Sequence, residues 1–285
     1  MSDFTMKAST SNKVMEMPLV PMKTTNGTHV PKGWTGFNRS ILYGLLGVAI
    51  VLVLWQILSM IMNEIIIASP LATLNTFLSL LSEKTTWRHV LITFQRLMAG
   101  LLIGSITGSL LGLAAGLNSK VRLMLEPLRW VAMTVPAVVI AILAMLWFGM
   151  GSTQVIFVTA IINVPFTYVN VMEGILAIDD KIIEMGRSFK LPGRMFFSEI
   201  YLPGIGSSLI AALTLTVGMG VRVAVLSELM GAHDGIGHAF SRAWTHLDTP
   251  EIFAWVLMSL LLLAVLEFGI LQPVKHHMMR WKTHK

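Results

Sequence analysis

Six long apolar runs limit what this chain can fold into more than any other feature of its sequence. A bilayer core about 30 Å thick is crossed by about 20 apolar residues in an α-helix. Unbroken runs of this length cross the membrane as helices, because every backbone N–H and C=O is then paired within the segment. The sequence therefore predicts an all-α, polytopic membrane protein with six transmembrane helices, at residues 41–62, 97–117, 131–150, 155–176, 205–226 and 252–271.

Composition agrees with a membrane protein and removes several kinds of chemistry. Of the 285 residues, 54% are hydrophobic and 13% are charged, which is outside the usual range of globular domains. The first run follows a polar stretch, residues 1–40, and no small-residue cleavage site follows it, so we interpret it as an anchor helix and not as a signal peptide. The chain contains no cysteine, which excludes disulfides, thiolate nucleophiles and Cys-ligated metals.

The distribution of basic residues predicts the orientation in the membrane. Lys and Arg precede the first run, lie around the turn between the second and third, lie between the fourth and fifth, and follow the sixth (Lys7, Lys13, Lys23, Lys32, Arg39; Lys120, Arg122, Arg129; Lys181, Arg187, Lys190, Arg194; Lys275, Arg280, Lys282, Lys285). The other loops hold few. Because cytoplasmic loops carry the excess of basic residues, both termini and the loop between the fourth and fifth runs are expected to be cytoplasmic. The net charge of +6 is assigned to this asymmetry and not to nucleic-acid binding.

Glycine and proline positions predict how the helices pack. In the second run a glycine recurs at every fourth position, which places all five on one helix face (Gly100, Gly104, Gly108, Gly112, Gly116). Such a ridge lets another helix backbone approach closely, and we interpret it as a packing seam without a ligand role. Pro136 and Pro165 interrupt the backbone hydrogen bonds of the third and fourth runs, so these helices are expected to face the protein interior.

The remaining organisation is simple. Residues 69–81 begin with Ser-Pro and place their leucines and Phe77 on one face, which predicts an amphipathic helix on the outer side, lying against the membrane. No repeat relates the two halves, which counts against a secondary transporter built from inverted repeats. We predict a polar, flexible cytoplasmic tail at 1–40, one permease domain at 41–276 and a basic cytoplasmic tail at 277–285.

Motifs for catalysis are absent from the sequence. It contains no GxxxxGK[ST] loop, so the chain is not expected to hydrolyse ATP by that route, and it contains no HExxH or GxSxG. Three histidines lie in one loop and three in the C-terminal tail (His233, His238, His246; His276, His277, His284). Loop and tail histidines of this kind are typical of solvated surface, so no metal site and no catalytic residue is predicted.

A charged segment between the fourth and fifth runs, "DDKIIEMGRSFKLPGRMFFSEIYLP" at 179–203, stands out from its apolar neighbours. Asp179 or Asp180 can cap a helix with an apolar side and a charged side. Residues 191–193, Leu-Pro-Gly, then interrupt it. A second short helix, 194–201, is expected to end before Leu202-Pro203, where the fifth run begins. This pattern alone also fits an ordinary amphipathic connector.

The spacing within this segment resembles the cytoplasmic signature of ABC importer permeases, E-A-A-x3-G-x9-I-x-L-P. Four positions match in identity and three depart from it: Glu184, Ile200, Leu202 and Pro203 match, whereas Met185 and Gly186 replace the alanines and Lys190 replaces the glycine. The replacement at Lys190 leads us to expect a shifted turn and altered detail of the docking surface.

Four further stretches are similar to the nitrate/sulfonate/taurine branch of these permeases: "SPLATLNTFLSLL", "TFQRLMAGLLIGSITGSLLGLAAG", "LWFGMGSTQVIF", and "SELMGAHDGIGHAF" followed by "DTPEIFAWVL". The resemblance runs from about residue 41 to the C terminus. It implies a type I ABC importer permease in the bacterial inner membrane, paired as a homodimer or with a second permease. It also implies ABC ATPase subunits that hold the ATP and Mg and contact the helix around Glu184, no cofactor in this chain, and a periplasmic or surface binding protein that delivers a small solute. Nitrate, a sulfonate or taurine is the expected solute, and a neutral vitamin precursor is the alternative.

Two charged residues in the fifth run are candidates for the translocation path or its gate. Arg222 at membrane depth costs about 2.5–3.5 kcal/mol unless it faces protein or water, so it either lines the path or pairs with Glu173 or Glu267. Glu228 lies about 240° further round the helix than Arg222, so each needs a different partner. The resemblance places Glu228 before a segment, "GAHDGIGHAF", that helps gate the outer side.

Two other classes of protein remain to be weighed. An ion-gradient-driven secondary transporter would be active without an ATPase. An intramembrane enzyme would carry paired catalytic residues at membrane depth, and the sequence shows no such pair.

Overall fold

The computed structural model describes residues 35–63 and 65–279, and within them the chain is helical, with no strand. The helices are α1 (Thr35–Ile61), α2 (Pro70–Ser82), α3 (Lys84–Leu117), α4 (Ser119–Thr134), α5 (Ala137–Phe148), α6 (Ser152–Leu176), α7 (Asp180–Ser188), α8 (Gly193–Phe196), α9 (Leu202–Gly231), α10 (Ile236–His246), α11 (Thr249–Ala264) and α12 (Gln272–Met279). Short π-helical segments, Phe197–Tyr201 and Val265–Leu271, join α8 to α9 and α11 to α12.

The chain divides into two units, residues 1–49 and 50–285. The described part of the first unit is the beginning of α1, which starts within the segment predicted to be a polar tail; the rest of that predicted tail and residues 280–285 lie outside the described residues. All of the contacts below belong to the second unit.

The predicted third transmembrane helix is not one straight helix. Five helices in the described ranges are long and apolar enough to cross a membrane, and the number rises to six only if α4 and α5 count as one span bent by 97°. The break lies at Val135 and Pro136, both of which have extended backbone angles. A proline has no N–H to continue the helix, and it pushes the residue before it out of the helical region. The sequence predicted the loss of hydrogen bonding here but not the sharp bend.

The predicted glycine ridge of α3 packs directly on α6. A Cβ built on Gly104 would lie 2.7 Å from the backbone oxygen of Ala160, and one on Gly108 would lie 2.6 Å from that of Val164. The other three ridge glycines meet Thr159, Tyr168 and Ile175 of the same helix at similar distances. Only hydrogen fits at these positions, so the prediction of a close helix–helix seam is confirmed.

Around this pair the other helices complete the core. Helix α6, with Pro165 inside it, is the most buried of the candidate spans and also packs on α9. Helix α2 is capped by Ser69, whose Oγ accepts from the N–H of Ala72 at 3.2 Å, and it packs on α11. The helix predicted at 69–81 is thereby confirmed. Trp255 of α11 and Ile236 of α10 are fully buried in the largest apolar cluster.

Candidate functional site

The segment predicted to couple this chain to a partner forms a short, well-capped helix. Oδ1 of Asp179 accepts a hydrogen bond from the N–H of Lys181 at 2.9 Å, which confirms the predicted N-cap of α7. Asp180 lies in the first turn and Arg187 in the last, so both charges complement the helix dipole. Asp179 therefore sets where this helix begins.

The signature spacing corresponds to a packing contact. Gly186 of α7 is buried, and a Cβ on it would lie 2.7 Å from Cδ1 of Ile200 and 2.7 Å from Cε2 of Phe196. Ile200 is itself buried. The chain thus turns back on itself between these positions, and a small residue at 186 lets α7 lie against the helix that leads into α9.

Lys190, at the position of the signature glycine, adopts a left-handed backbone conformation with φ of 49°. Its N–H donates to the carbonyl of Arg187 at 2.9 Å, and the N–H of Leu191 donates to that of Gly186 at 3.2 Å. This is the Schellman arrangement, in which glycine is the usual residue because a side chain costs about 1–2 kcal/mol in this region. The lysine therefore adds backbone strain in a turn where glycine would fit without strain.

The rest of the α7 surface, outside this contact, is largely exposed and partly apolar. Glu184, Met185 and Phe189 are exposed, and 75% of the Phe189 surface is accessible. Clustered apolar side chains on an otherwise charged helix are typical of a surface that another protein covers.

The second short helix predicted at 194–201 does not end before Leu202-Pro203. Helix α8, the π-helical segment and α9 run on as one helix from Gly193 to Gly231. The N–H of Leu202 reaches the carbonyl of Phe197, five residues back. This wider π-helical turn shifts the backbone hydrogen-bond register of the helix. Pro203 therefore lies in the first turn of α9, where its missing N–H is tolerated.

A buried ion cluster lies at the other end of α9; we call it the Arg96 cluster (Arg96, Glu228, Asp234, Ser152, Thr93). Arg96 of α3 is only 4% exposed. Its Nε donates to Oγ of Ser152 at 3.0 Å, and its Nη1 donates to Oε1 of Glu228 at 2.9 Å and to the carbonyl of Asp234 at 2.8 Å. Its Nη2 also pairs with the Asp234 carboxylate. One guanidinium thus ties together α3, α6, α9 and the loop before α10.

Glu228 anchors the start of α10. Its Oε2 accepts from Oγ1 of Thr93 at 2.8 Å and from the N–H of Gly237 at 3.0 Å, and Oγ1 of Thr93 accepts from the N–H of Ile236 at 2.8 Å. Gly235 has φ of 103°, and a Cβ there would collide with the Glu228 carboxylate. The partner that the sequence required for Glu228 is therefore Arg96, with the α10 N-terminus as a second one.

Arg96 was not among the site residues predicted from the sequence. It lies one residue before the predicted start of the second run. Two features of the sequence could have identified it. Glu228 needed a positive partner near the same membrane depth, and Arg96 is a lone charge at the edge of an apolar run.

Arg222 lies elsewhere on α9 and is exposed. It forms no ion pair with any residue in the described ranges; Glu173 and Glu267, the partners considered from the sequence, are also exposed and are not paired with it. The ion-pair interpretation of Arg222 therefore finds no support within the described part of the chain.

Comparison with known proteins decides what kind of membrane protein carries these sites. Residues 100–271, which include the glycine ridge, α7, Arg222 and Glu228, match the family described as binding-protein-dependent transport system inner membrane component. The chain belongs to this family. It is an ABC importer permease embedded in the membrane by several helices, and the comparisons give no support to a secondary transporter.

Curated relatives agree along most of the chain. A putative aliphatic sulfonates transport permease of Bacillus subtilis is 24% identical over 84% of this chain and 87% of its own length. A formylaminopyrimidine transport permease of Halalkalibacterium halodurans is 26% identical over 81% of this chain and 92% of its own. The resemblance to the nitrate/sulfonate/taurine branch is confirmed by the first of these.

A solved structure supports the fold. A bacterial ABC transporter involved in the import of alginate superimposes on 87% of this chain and 98% of that one, with a TM-score of 0.60 at 16% identity.

Proposed function

We propose that this permease forms the translocation path of an importer whose ATPase is a separate subunit, and that the ATPase binds the segment 179–203. The observation that carries the proposal is the geometry of α7. Gly186 packs inward on Ile200, while Glu184, Met185 and Phe189 are exposed. An exposed surface on a firmly anchored helix is suited to receive force from a partner.

The path by which that force would travel is continuous. Helix α7 packs on Ile200. The helix that contains Ile200 begins at Gly193 and continues for 39 residues to Gly231. Its far end carries Glu228 and the Arg96 cluster. A displacement of α7 would therefore move α9 as a rigid rod and tilt the end at which α3, α6 and α10 meet, which is alternating access by rigid-body motion.

The remaining components follow from this assignment. ATP and Mg would be held by the ATPase and not by this chain, which lacks the phosphate loop that would bind them. The distribution of Lys and Arg favours an inner-membrane orientation with both termini in the cytoplasm. Since each chain offers one coupling segment and ABC ATPases work as a pair, we expect a second copy of this permease, and a binding protein on the opposite side of the membrane.

The solute is proposed to be a small anion such as nitrate, a sulfonate or taurine. Arg222 supports this because its guanidinium is exposed and has no ion-pair partner within the described ranges. A charge at membrane depth faces water or a partner, and the flat guanidinium offers several donors to an oxyanion. A neutral vitamin precursor is the second candidate, since one of the relatives is a formylaminopyrimidine permease. A competition assay separates the two candidates: uptake of a labelled sulfonate is measured in the presence of an unlabelled anion of this group or of the neutral vitamin precursor.

The coupling assignment is tested by charge reversal on α7. Glu184→Lys should leave the chain in the membrane but reduce ATPase association and uptake. The matched control is Glu267→Lys, which reverses another exposed acidic residue that lies outside the segment 179–203. Co-purification of the ATPase and uptake are measured for both. Normal uptake by Glu184→Lys, or equal losses in the two variants, would contradict the assignment.

A further inference from the structure

A cavity of about 510 Å³ lies between α4 and α6; we call it the α4–α6 groove. Apolar side chains line almost all of it, among them Leu128 and Ala132 of α4 and Ile161 and Pro165 of α6. Its volume is in the range of pockets that hold small molecules, about 300–1,000 Å³. The groove offers almost no polar atom along its length, so it suits a hydrocarbon chain better than a hydrated solute.

The helix that forms one wall, α4, leaves large apolar side chains exposed. Val121 and Leu125 of α4 pack against Tyr168 and Met172 of α6, and Ala132 lines the groove together with Ile161, so α4 follows α6 along the groove. All 16 residues of α4 are at least partly exposed, and Met124 and Trp130 project large apolar surfaces. Apolar side chains exposed on a membrane helix are covered by lipid chains or by another helix.

Polar groups are concentrated at one place on the rim. Arg129 lines the groove and pairs with Glu126 one turn away, while Lys120 and Arg122 leave α4 with a net positive charge. Tyr168 also lines the groove, and its buried hydroxyl has no hydrogen-bond partner within the described ranges. A buried hydroxyl normally finds an acceptor. A lipid phosphate at the rim would give the Arg129 guanidinium a second anionic partner.

We propose that the α4–α6 groove binds one anionic phospholipid of the cytoplasmic leaflet, with an acyl chain along Ile161 and Pro165 and the headgroup phosphate at Arg129. Charge complementarity selects an anionic lipid, because each basic residue near the surface adds about fivefold to its affinity. The proposal rests on the orientation given under Proposed function but not on the solute or on the ATPase.

The test measures lipid retention on the purified full chain by native mass spectrometry, with phosphatidylglycerol and phosphatidylcholine as probes. Arg129→Gln should lower phosphatidylglycerol affinity about fivefold. Glu126→Gln should raise it, because it frees the guanidinium, and simple damage to the fold would not produce that sign. Ala132→Phe fills the groove and should abolish retention. Arg194→Gln removes an exposed charge elsewhere in the same cytoplasmic region and should leave lipid retention unchanged.

Several results would overturn the proposal. Equal effects of Arg129→Gln and Arg194→Gln would show general charge attraction. Equal affinity for the two lipids in the unaltered chain would remove the headgroup selectivity. If Ala132→Phe left lipid retention unchanged but abolished self-association of the chain, the groove would be an interface with a second copy. Thermal unfolding of each variant checks that it is folded, and uptake is assayed separately, so failure of the lipid site and failure of the transport assignment remain distinct.

Discussion

Two arginines of the membrane helices, Arg96 and Arg222, should respond to the same substitution in opposite ways. Arg96 is buried and donates hydrogen bonds to three residues, whereas Arg222 is exposed and forms no ion pair within the described ranges. Methionine keeps the length and flexibility of the arginine stem but removes the charge. Arg96→Met should therefore unfold the chain more easily, and Arg222→Met should impair transport without affecting folding.

The magnitude for Arg96 follows from what the substitution leaves behind. The Glu228 carboxylate is 0% exposed and would keep only Thr93 and the Gly237 N–H as donors. Breaking a buried ion pair by removing one partner costs about 3–5 kcal/mol. For a chain of this size that corresponds to a fall in Tm on the order of 10 °C. Adding Glu228→Gln to Arg96→Met should restore part of the loss, because no buried charge is then left alone.

The assay is thermal unfolding in detergent, followed by circular dichroism, together with uptake of an anionic and a neutral solute. The expected order of Tm is Arg96→Met lowest, the double variant intermediate, and Arg222→Met close to the unaltered chain. Uptake of the anion by Arg222→Met should fall more than uptake of the neutral solute. Equal Tm losses in the two single variants, or no recovery in the double variant, would refute the assignment of Arg96 as the partner of Glu228.

Three further predictions use other parts of the structure. Gly108→Ala should cost about 1–3 kcal/mol because its methyl group meets the backbone of α6, whereas Gly218→Ala, with nothing within 4 Å of its Cβ, should not lower the Tm; equal Tm values would contradict the seam. Lys190→Val should be less stable than Lys190→Gly by about 1–2 kcal/mol in the same unfolding assay, because valine resists a left-handed backbone, and the reverse order would show that the turn is not held there. Reporter fusions at positions 120, 190 and 280 should be cytoplasmic and those at 152 and 240 external; a cytoplasmic reporter at 240 would mean that a span has been misassigned.

Local patterns in the sequence were sufficient for much of the fold. The α3 ridge and the Ser69 and Asp179 caps each depend on spacing that can be read directly. These features are set by helix geometry and hydrogen bonding within a few turns, so the sequence carries them in full.

What could not be predicted depends on distant residues meeting. Arg96 and Glu228 are 132 positions apart, and no local pattern pairs them. The angle at Pro136 is set by what α4 and α5 each pack against, since proline fixes only the loss of a hydrogen bond. The π-helical turn before Pro203 likewise reflects the fit of α9 between its neighbours.

The seam between α3 and α6 also determines where this permease can bend. At Gly104 and Gly108 backbone meets backbone, so no layer of side chains is present that could change rotamer and let one helix slide past the other. Sliding of α3 along α6 is therefore excluded, and the two helices must move as one unit in any transport cycle. Bending can occur at two places that lack such close contact. One is the break at Pro136, and the other is the turn at Gly149–Gly151, where both glycines have positive φ angles and open space around them. The distance between spectroscopic labels on α3 and α6 should stay constant throughout turnover. The distance between labels on either side of the bend at Pro136 should change.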